Sequence, residues 1–268
     1  MPLVPIRDGV ALSVLDDGPR DAPALVLITG LGGLKEGWFR QVPEFSRDFR
    51  VIAHDHRGMG GSTSTDDAFT LRDLADDVVR LLDALDVPTA AVWGVSMGGK
   101  VAQELAIGWP DRVSALILEN TSAGEVHRVE GPLESPLRRM QGADADRWLT
   151  DIVPLLFGEA YRAANPGSMR AFARSRERHP PDPGALARQW AAYERFDSWD
   201  RLPQIAAPTL CLAGAEDNLC DPRNANALAA RIPGARAVSI PGGGHSVHIE
   251  LPDAVNAAVR AFLAAADP

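Results

Sequence analysis

The chain has 268 residues, with 27 lysines and arginines against 36 aspartates and glutamates and a formal charge of -9. That length buries a core that is stable without staples, and the acidic balance repels polyanions, which excludes nucleic acid as a partner. Cys211 and Cys220 are too few for a disulfide framework, and neither a basic, apolar leader nor a membrane-length apolar run is present, so the sequence predicts a cytoplasmic protein that does not enter a membrane.

In chain order, Val10 to Leu15 and Ala24 to Thr29 read as strands. The second is apolar almost throughout, as expected of a strand covered on both faces, and Gly30 to Gly33 break it. A short strand, Arg50 to His54, runs into a turn-rich stretch from Asp55 to Ser62. Thr70 and Asp73 have the spacing of a capping box, after which Leu71, Leu74, Val78, Leu81, Leu82 and Leu85 recur at helical spacing until Pro88. The strand Ala90 to Val95, the helix Met97 to Ile107 and the strand Val113 to Leu118 continue the alternation. It stops near Asn120 and resumes with the strand Thr209 to Gly214, the helix Arg223 to Ala230, the strand Arg236 to Ile240 and the helix Pro252 to Leu263. This rhythm predicts an α/β fold, a mostly parallel sheet with helices on both faces.

Residues 122–203 lack strand alternation and read as helices broken by prolines at 132, 136, 154, 166, 180, 181 and 183. They are expected to form a helical cap on a core domain made of residues 1–121 and 204–268. Trp148, Leu149, Ile152, Leu155 and Leu156 keep a helical spacing suited to packing the cap on the body, with a break at Pro154. Met140, Trp148, Phe157, Met169, Phe172, Trp190 and Tyr193 suggest a mainly apolar pocket, and Arg138, Arg139, Arg170 and Arg174 are expected on the cap surface.

Between an apolar strand and a helix lies Gly94-Val95-Ser96-Met97-Gly98, of the form G-x-S-x-G. A serine on so tight a turn needs small neighbours, and the turn leaves its hydroxyl free at the positive end of a helix. Such a nucleophile needs a base, for which histidine has the right proton affinity. Of six histidines, His54 and His56 flank a strand end, His127 and His179 fall in the cap, and His245 and His248 follow the last strand at its carboxyl end, where open α/β sheets place ligands. His245, directly after Gly242 to Gly244, is the expected base, with His248 the alternative. The acid that orients the histidine is sought after Thr209 to Gly214, where Asp217 is expected and Glu216 and Asp221 are alternatives. Backbone donors for an oxyanion are expected at Met97 and at Leu31. His54, Asp55 and His56 alternate across a strand and make a poor metal site, so neither metal nor organic cofactor is implied.

Four separate motifs carry a resemblance that spans Val10 to Leu263. Asp55 to Ser62 is similar to the D-x-R-G-x-G-x-S turn, Gly94 to Gly99 to the G-x-S-M-G-G elbow, Gly214 to Asp217 to the G-x-x-D acid turn, and Gly244-His245 with Glu250 and Pro252 to the G-H-x-x-x-x-E-x-P ending of the α/β-hydrolase superfamily. Within it the chain resembles the group of the 3-oxoadipate enol-lactonases and related esterases. That resemblance implies attack by Ser96 on an ester or lactone carbonyl of a small, mainly apolar substrate, through an acyl-enzyme. The chain departs from many members in having Thr29-Gly30 where they have His-Gly. Ser96 argues against the members with an aspartate nucleophile, and Gly94-Val95-Ser96 lacks the asparagine common in carbon–carbon bond hydrolases. The alternatives on the same scaffold are carbon–carbon bond hydrolysis, a cofactor-free lyase, cyclase or oxygenase, and a non-catalytic small-molecule receptor. Oligomeric state is not legible in the sequence.

Overall fold

A computed structural model describes residues 2–63, 66–124, 145–178 and 180–266. His127, Pro132, Pro136, Arg138, Arg139, Met140 and His179 lie outside the described residues, as does the side chain of Trp148. Strands β1 (Leu3–Arg7) and β2 (Val10–Asp17) are followed by β3 (Ala24–Ile28), the short helix α1 (Val42–Phe45), β4 (Arg50–His54), α2 (Leu71–Ala84), β5 (Ala90–Val95), α3 (Met97–Gly108) and β6 (Val113–Glu119). Helices α4 (Ala145–Arg147), α5 (Val153–Leu156), α6 (Glu159–Ala164), α7 (Pro166–Arg178) and α8 (Pro183–Glu194) come before β7 (Thr209–Gly214). Then follow α9 (Arg223–Arg231), β8 (Arg236–Ile240), α10 (Val247–Glu250) and α11 (Pro252–Ala266).

The eight strands form one sheet in the order β1-β2-β4-β3-β5-β6-β7-β8, antiparallel where β2 meets β1 and β4 and parallel elsewhere. Because successive side chains of a strand point to opposite faces, each apolar strand feeds two cores. In β3, Ala24, Val26 and Ile28 join the layer under α2, α3 and α9, while Leu25 and Leu27 join the layer under α1 and α11. β5 divides in the same way, with Ala90 and Val92 on one side and Ala91, Trp93 and Val95 on the other. This two-sided burial explains why the parallel strands read as unbroken apolar runs.

Helix α2 starts where its sequence pattern predicts. Asp73 N donates to Thr70 Oγ1 at 3.2 Å and Thr70 N donates to Asp73 Oδ2 at 2.7 Å, which satisfies two amides that the first turn would otherwise leave unpaired. Strand β1 and helix α1 lack a periodic signal of their own. β1 contains Pro5, and it is tolerated because β1 pairs only with β2, so one side needs no amide donor.

Between β6 and β7 the described residues form helices joined by loops, with a single antiparallel bridge, Gly124 to Asp197. Pro154 does interrupt the helical stretch, with a wide π-type turn over Trp148–Ile152 leading into α5. Ile152, Ala173, Ala185 and Leu186 bury against Met59, with Leu31, Leu34, Leu149 and Leu156 packed around them. Leu31, Leu34 and Met59 belong to the loops after β3 and β4, so α5, α7 and α8 lie over the carboxyl end of the sheet. Among the described residues no helix is long and apolar enough to cross a membrane.

Candidate active site

Ser96 joins β5 to α3 with φ 56° and ψ -120°, a backbone conformation that non-glycine residues rarely adopt. Surrounding backbone holds it there. Ser96 N donates to Glu119 O at 2.9 Å and Thr121 Oγ1 donates to Ser96 O at 2.7 Å. The turn is also crowded. A Cβ on Gly98 would lie 2.2 Å from Ile28 O and 2.5 Å from Thr29 O, and one on Gly94 would lie 2.2 Å from Gly98 O. Only glycine lets β3, β5 and the first turn of α3 approach so closely. Met97 supplies the first amide of α3, which has no intrahelical acceptor.

Of the three acids considered after β7, Asp217 reaches a histidine. Asp217 Oδ2 lies 2.8 Å from His245 Nδ1, with both side chains buried, and Asp217 Oδ1 accepts from Leu219 N at 2.7 Å and Cys220 N at 2.9 Å. Those two amides fix the carboxylate so that its other oxygen faces the ring. Glu216 is exposed, and Asp221 is bound by Arg223. His248 is engaged elsewhere: its Nδ1 lies 2.6 Å from Glu119 Oε1, its ring packs 4.8 Å from that of Trp38, and Trp93 Nε1 donates to Glu119 Oε2 at 2.8 Å. Among the described residues no hydrogen bond joins Ser96 Oγ to the His245 ring.

Asn120, at the point where the strand–helix alternation stops and with no catalytic motif around it, ties these pieces together. Its Nδ2 donates to Gly244 O at 3.1 Å and His245 O at 2.7 Å, and its Oδ1 accepts from Gly214 N at 2.8 Å. The end of β6 thereby holds the histidine loop and the strand that leads to Asp217, while the flanking Glu119 and Thr121 hold Ser96. Asn120 has φ 45°, a conformation that asparagine tolerates better than most residues. An asparagine directly after an apolar strand was the available signal. Glu250 adds a second tie. Its Oε2 accepts from Gly158 N at 2.9 Å and Gly244 N at 3.2 Å, linking the histidine loop to the helical segment, and burial pushes its carboxyl above the usual range.

The loop after β3 lies against the elbow: a Cβ on Gly30 would sit 3.2 Å from Ser96 Cβ and 3.7 Å from Ser96 Oγ. Gly33 N donates to Gly30 O at 3.0 Å, closing a turn with Leu31 at its second position. Behind it, where Thr29 stands, His56 Nε2 lies 3.1 Å from Thr29 O. Two residues from the helical segment grip the same turn, since Gln189 Oε1 accepts from Gly32 N at 2.9 Å and Arg176 Nη2 donates to Gly32 O. Burial lowers the Arg176 guanidinium to about 10, which leaves it a cation at neutral pH. No local pattern marked either residue, because each meets its partner only through the tertiary fold.

The remaining expected residues have structural surroundings. Asp55 is buried, accepting from Lys35 Nζ at 2.6 Å, Lys35 N at 2.9 Å and Gly61 N at 3.0 Å, and Arg57 pairs with Asp77. Burial holds His54 and His56 neutral, the latter down to about 4. Phe157 and Met169 bury in a small cluster with Val153, against which Phe172 packs, and Trp190 stacks on Tyr193 at 5.5 Å. Arg170 and Arg174 are exposed on α7.

Comparison with known proteins identifies the family and the fold. A sequence model described as alpha/beta hydrolase fold matches residues 23–252. A protein of Caulobacter sp. (strain K31) provisionally named a carbamate hydrolase is 30% identical over 257 residues, covering 96% of each chain. The 3-oxoadipate enol-lactonase 2 of Acinetobacter baylyi is 30% identical over 264 residues, 95% of this chain and 93% of that one. The crystal structure of the enol-lactonase from Burkholderia xenovorans LB400 superposes with a TM-score of 0.87 at 30% identity, covering 98% of this chain and 100% of the other.

Proposed function

The chain belongs to the α/β-hydrolase family, in its enol-lactonase and esterase-like group, and on that premise we propose that it hydrolyses a carboxylic ester or lactone of a small, mainly apolar substrate through an acyl-enzyme on Ser96. The observation that carries this reading is the buried Asp217–His245 pair at 2.8 Å, on the same sheet edge as a serine held at φ 56°. A buried carboxylate at Nδ1 fixes the neutral tautomer whose Nε2 is a proton acceptor, and it stabilises the imidazolium formed later.

In the proposed reaction Ser96 Oγ adds to the substrate carbonyl carbon as its proton passes to His245 Nε2. The short link between Ser96 and His245 closes on substrate binding, as is common for sites that tighten in the Michaelis complex. The carbonyl oxygen becomes an oxyanion facing the Met97 and Leu31 amides. Collapse of this intermediate breaks the bond to the leaving alcohol, which takes the proton from His245. Water then adds to the acyl-enzyme as His245 accepts its proton, and the second tetrahedral intermediate collapses by breaking the bond to Ser96 Oγ, which takes that proton back from His245 as the acid is released. Residues 122–203 act as the cap over this site, on a body formed by residues 1–121 and 204–268.

The carbamate hydrolase name of one relative favours carbamates as a second substrate class, because they present the same carbonyl to the same nucleophile. The test is a panel of short-chain esters, five- and six-membered lactones and simple carbamates, assayed with the wild type and Ser96→Ala. Turnover of esters or lactones that disappears in the variant supports the reading. Turnover that persists in Ser96→Ala argues for chemistry that bypasses the acyl-enzyme.

A further inference from the structure

The turn expected to donate to the oxyanion is not held by its own strand alone. Gly30 to Gly33 is closed by the Gly33 N to Gly30 O bond of 3.0 Å, and Gly32 at its third position has φ 60°. Leu31 at the second position does not have positive φ, so the turn is of type II. Types I and II differ by a flip of the central peptide, here the one joining Leu31 to Gly32. That peptide's N–H is the group bonded to Gln189 Oε1 at 2.9 Å, and Gln189 is fully buried, so water does not compete for it. A flip would turn the Leu31 carbonyl toward Gln189 Oε1 and set two acceptors against each other. Arg176 holds the next carbonyl, that of Gly32. Leu31 itself packs on the cluster that includes Ala173 of α7 and Ala185 and Leu186 of α8. The polar and apolar restraints on the turn thus come from the same two helices, 144 and 157 residues away in sequence.

We propose that Gln189, seconded by Arg176, is a positioning residue that locks the Leu31–Gly32 peptide and with it the turn on which the neighbouring Leu31 N–H is presented, so that the site is competent only while α7 and α8 are seated on the turn. This rests on the acyl-enzyme reading above. Its consequence is that the segment over the site completes the oxyanion hole as well as covering it, and an unseated α7–α8 pair leaves a serine that binds substrate without stabilising charge. Preorganised donors matter in proportion to the charge that develops, so loosening them weakens the transition state more than the ground state.

The experiment compares wild type, Gln189→Leu and Arg176→Met in 4-nitrophenyl acetate turnover and in inhibition by an alkyl trifluoromethyl ketone, whose adduct with serine carries the oxyanion. Expected for Gln189→Leu is a loss of about ten-fold in kcat with KM changed by less than about two-fold, and a matching rise of about ten-fold in the ketone inhibition constant. Should that variant fail to fold, Arg176→Met reads the same relation. A ketone that binds the folded variants as tightly as the wild type overturns the proposal while leaving the serine hydrolase reading intact. A wild type that neither turns over the ester nor binds the ketone overturns both.

Discussion

The side-chain amide of Asn120 donates at 2.7 Å to the backbone carbonyl of His245, and its other end accepts from Gly214 N, so one residue at the end of β6 spaces the histidine loop from the strand that leads to Asp217. All of these groups are buried, so removal of the amide leaves orphaned polar groups. Asn120→Ala is expected to cost at least about 2 kcal/mol of stability and to lower kcat/KM by about ten-fold or more. Chemical denaturation and ester kinetics on the same preparation check both, and a variant unchanged in activity would show that the His245 loop is positioned from elsewhere.

Asp217→Asn tests the orientation of His245, the proposed base. The fold should persist, since Leu219 N and Cys220 N can still be accepted by the amide oxygen, but the amide nitrogen then faces His245 Nδ1 and favours the wrong tautomer. A fall of about 10³–10⁴ in kcat with a melting temperature close to wild type is expected.

Gly98→Ala tests the crowding at the elbow. The new Cβ would meet Ile28 O at 2.2 Å and Thr29 O at 2.5 Å, both of them backbone, so β3 or α3 must move. A loss of roughly 1–3 kcal/mol is expected, together with reduced activity, because Thr29 leads directly into the turn proposed to donate to the oxyanion. Unfolding midpoints of the two proteins decide it.

Stability should also depend on pH through His54 and His56. Burial, aided for His54 by His56 and Lys35, holds both below their ordinary 6.5, His56 to about 4 even though the Thr29 carbonyl and Asp55 pull it upward. Between those values the unfolded chain binds protons that the native chain refuses. The contribution is therefore complete above pH 6.5 and is lost as pH falls toward 4, by up to about 3 kcal/mol for His56. A melting temperature that declines steadily below pH 6.5, with a shallower decline in His56→Gln, is expected; a flat profile contradicts it.

The architecture was legible where periodicity is strong. β3, β5 and β7 are buried on both faces and read as apolar runs, and α2 carries a leucine stripe behind a capping box that the structure forms in full. β1 escaped notice because Pro5 and an exposed face blur its alternation. Ser96, Asp217 and His245 stood out because each sits among turn glycines at a strand's carboxyl end. Asn120, Gln189 and Arg176 did not, because their partners lie 144 to 157 residues away, or 125 for Asn120 and His245, and no local pattern encodes such a contact.

The proposed covalent chemistry of Ser96 is read out by intact-mass and peptide analysis after treatment with a fluorophosphonate, an electrophile that traps an activated serine. One adduct per chain is expected, mapped to Ser96 and absent from Ser96→Ala. A folded wild type that stays unlabelled, or an adduct that persists in the variant, would contradict it.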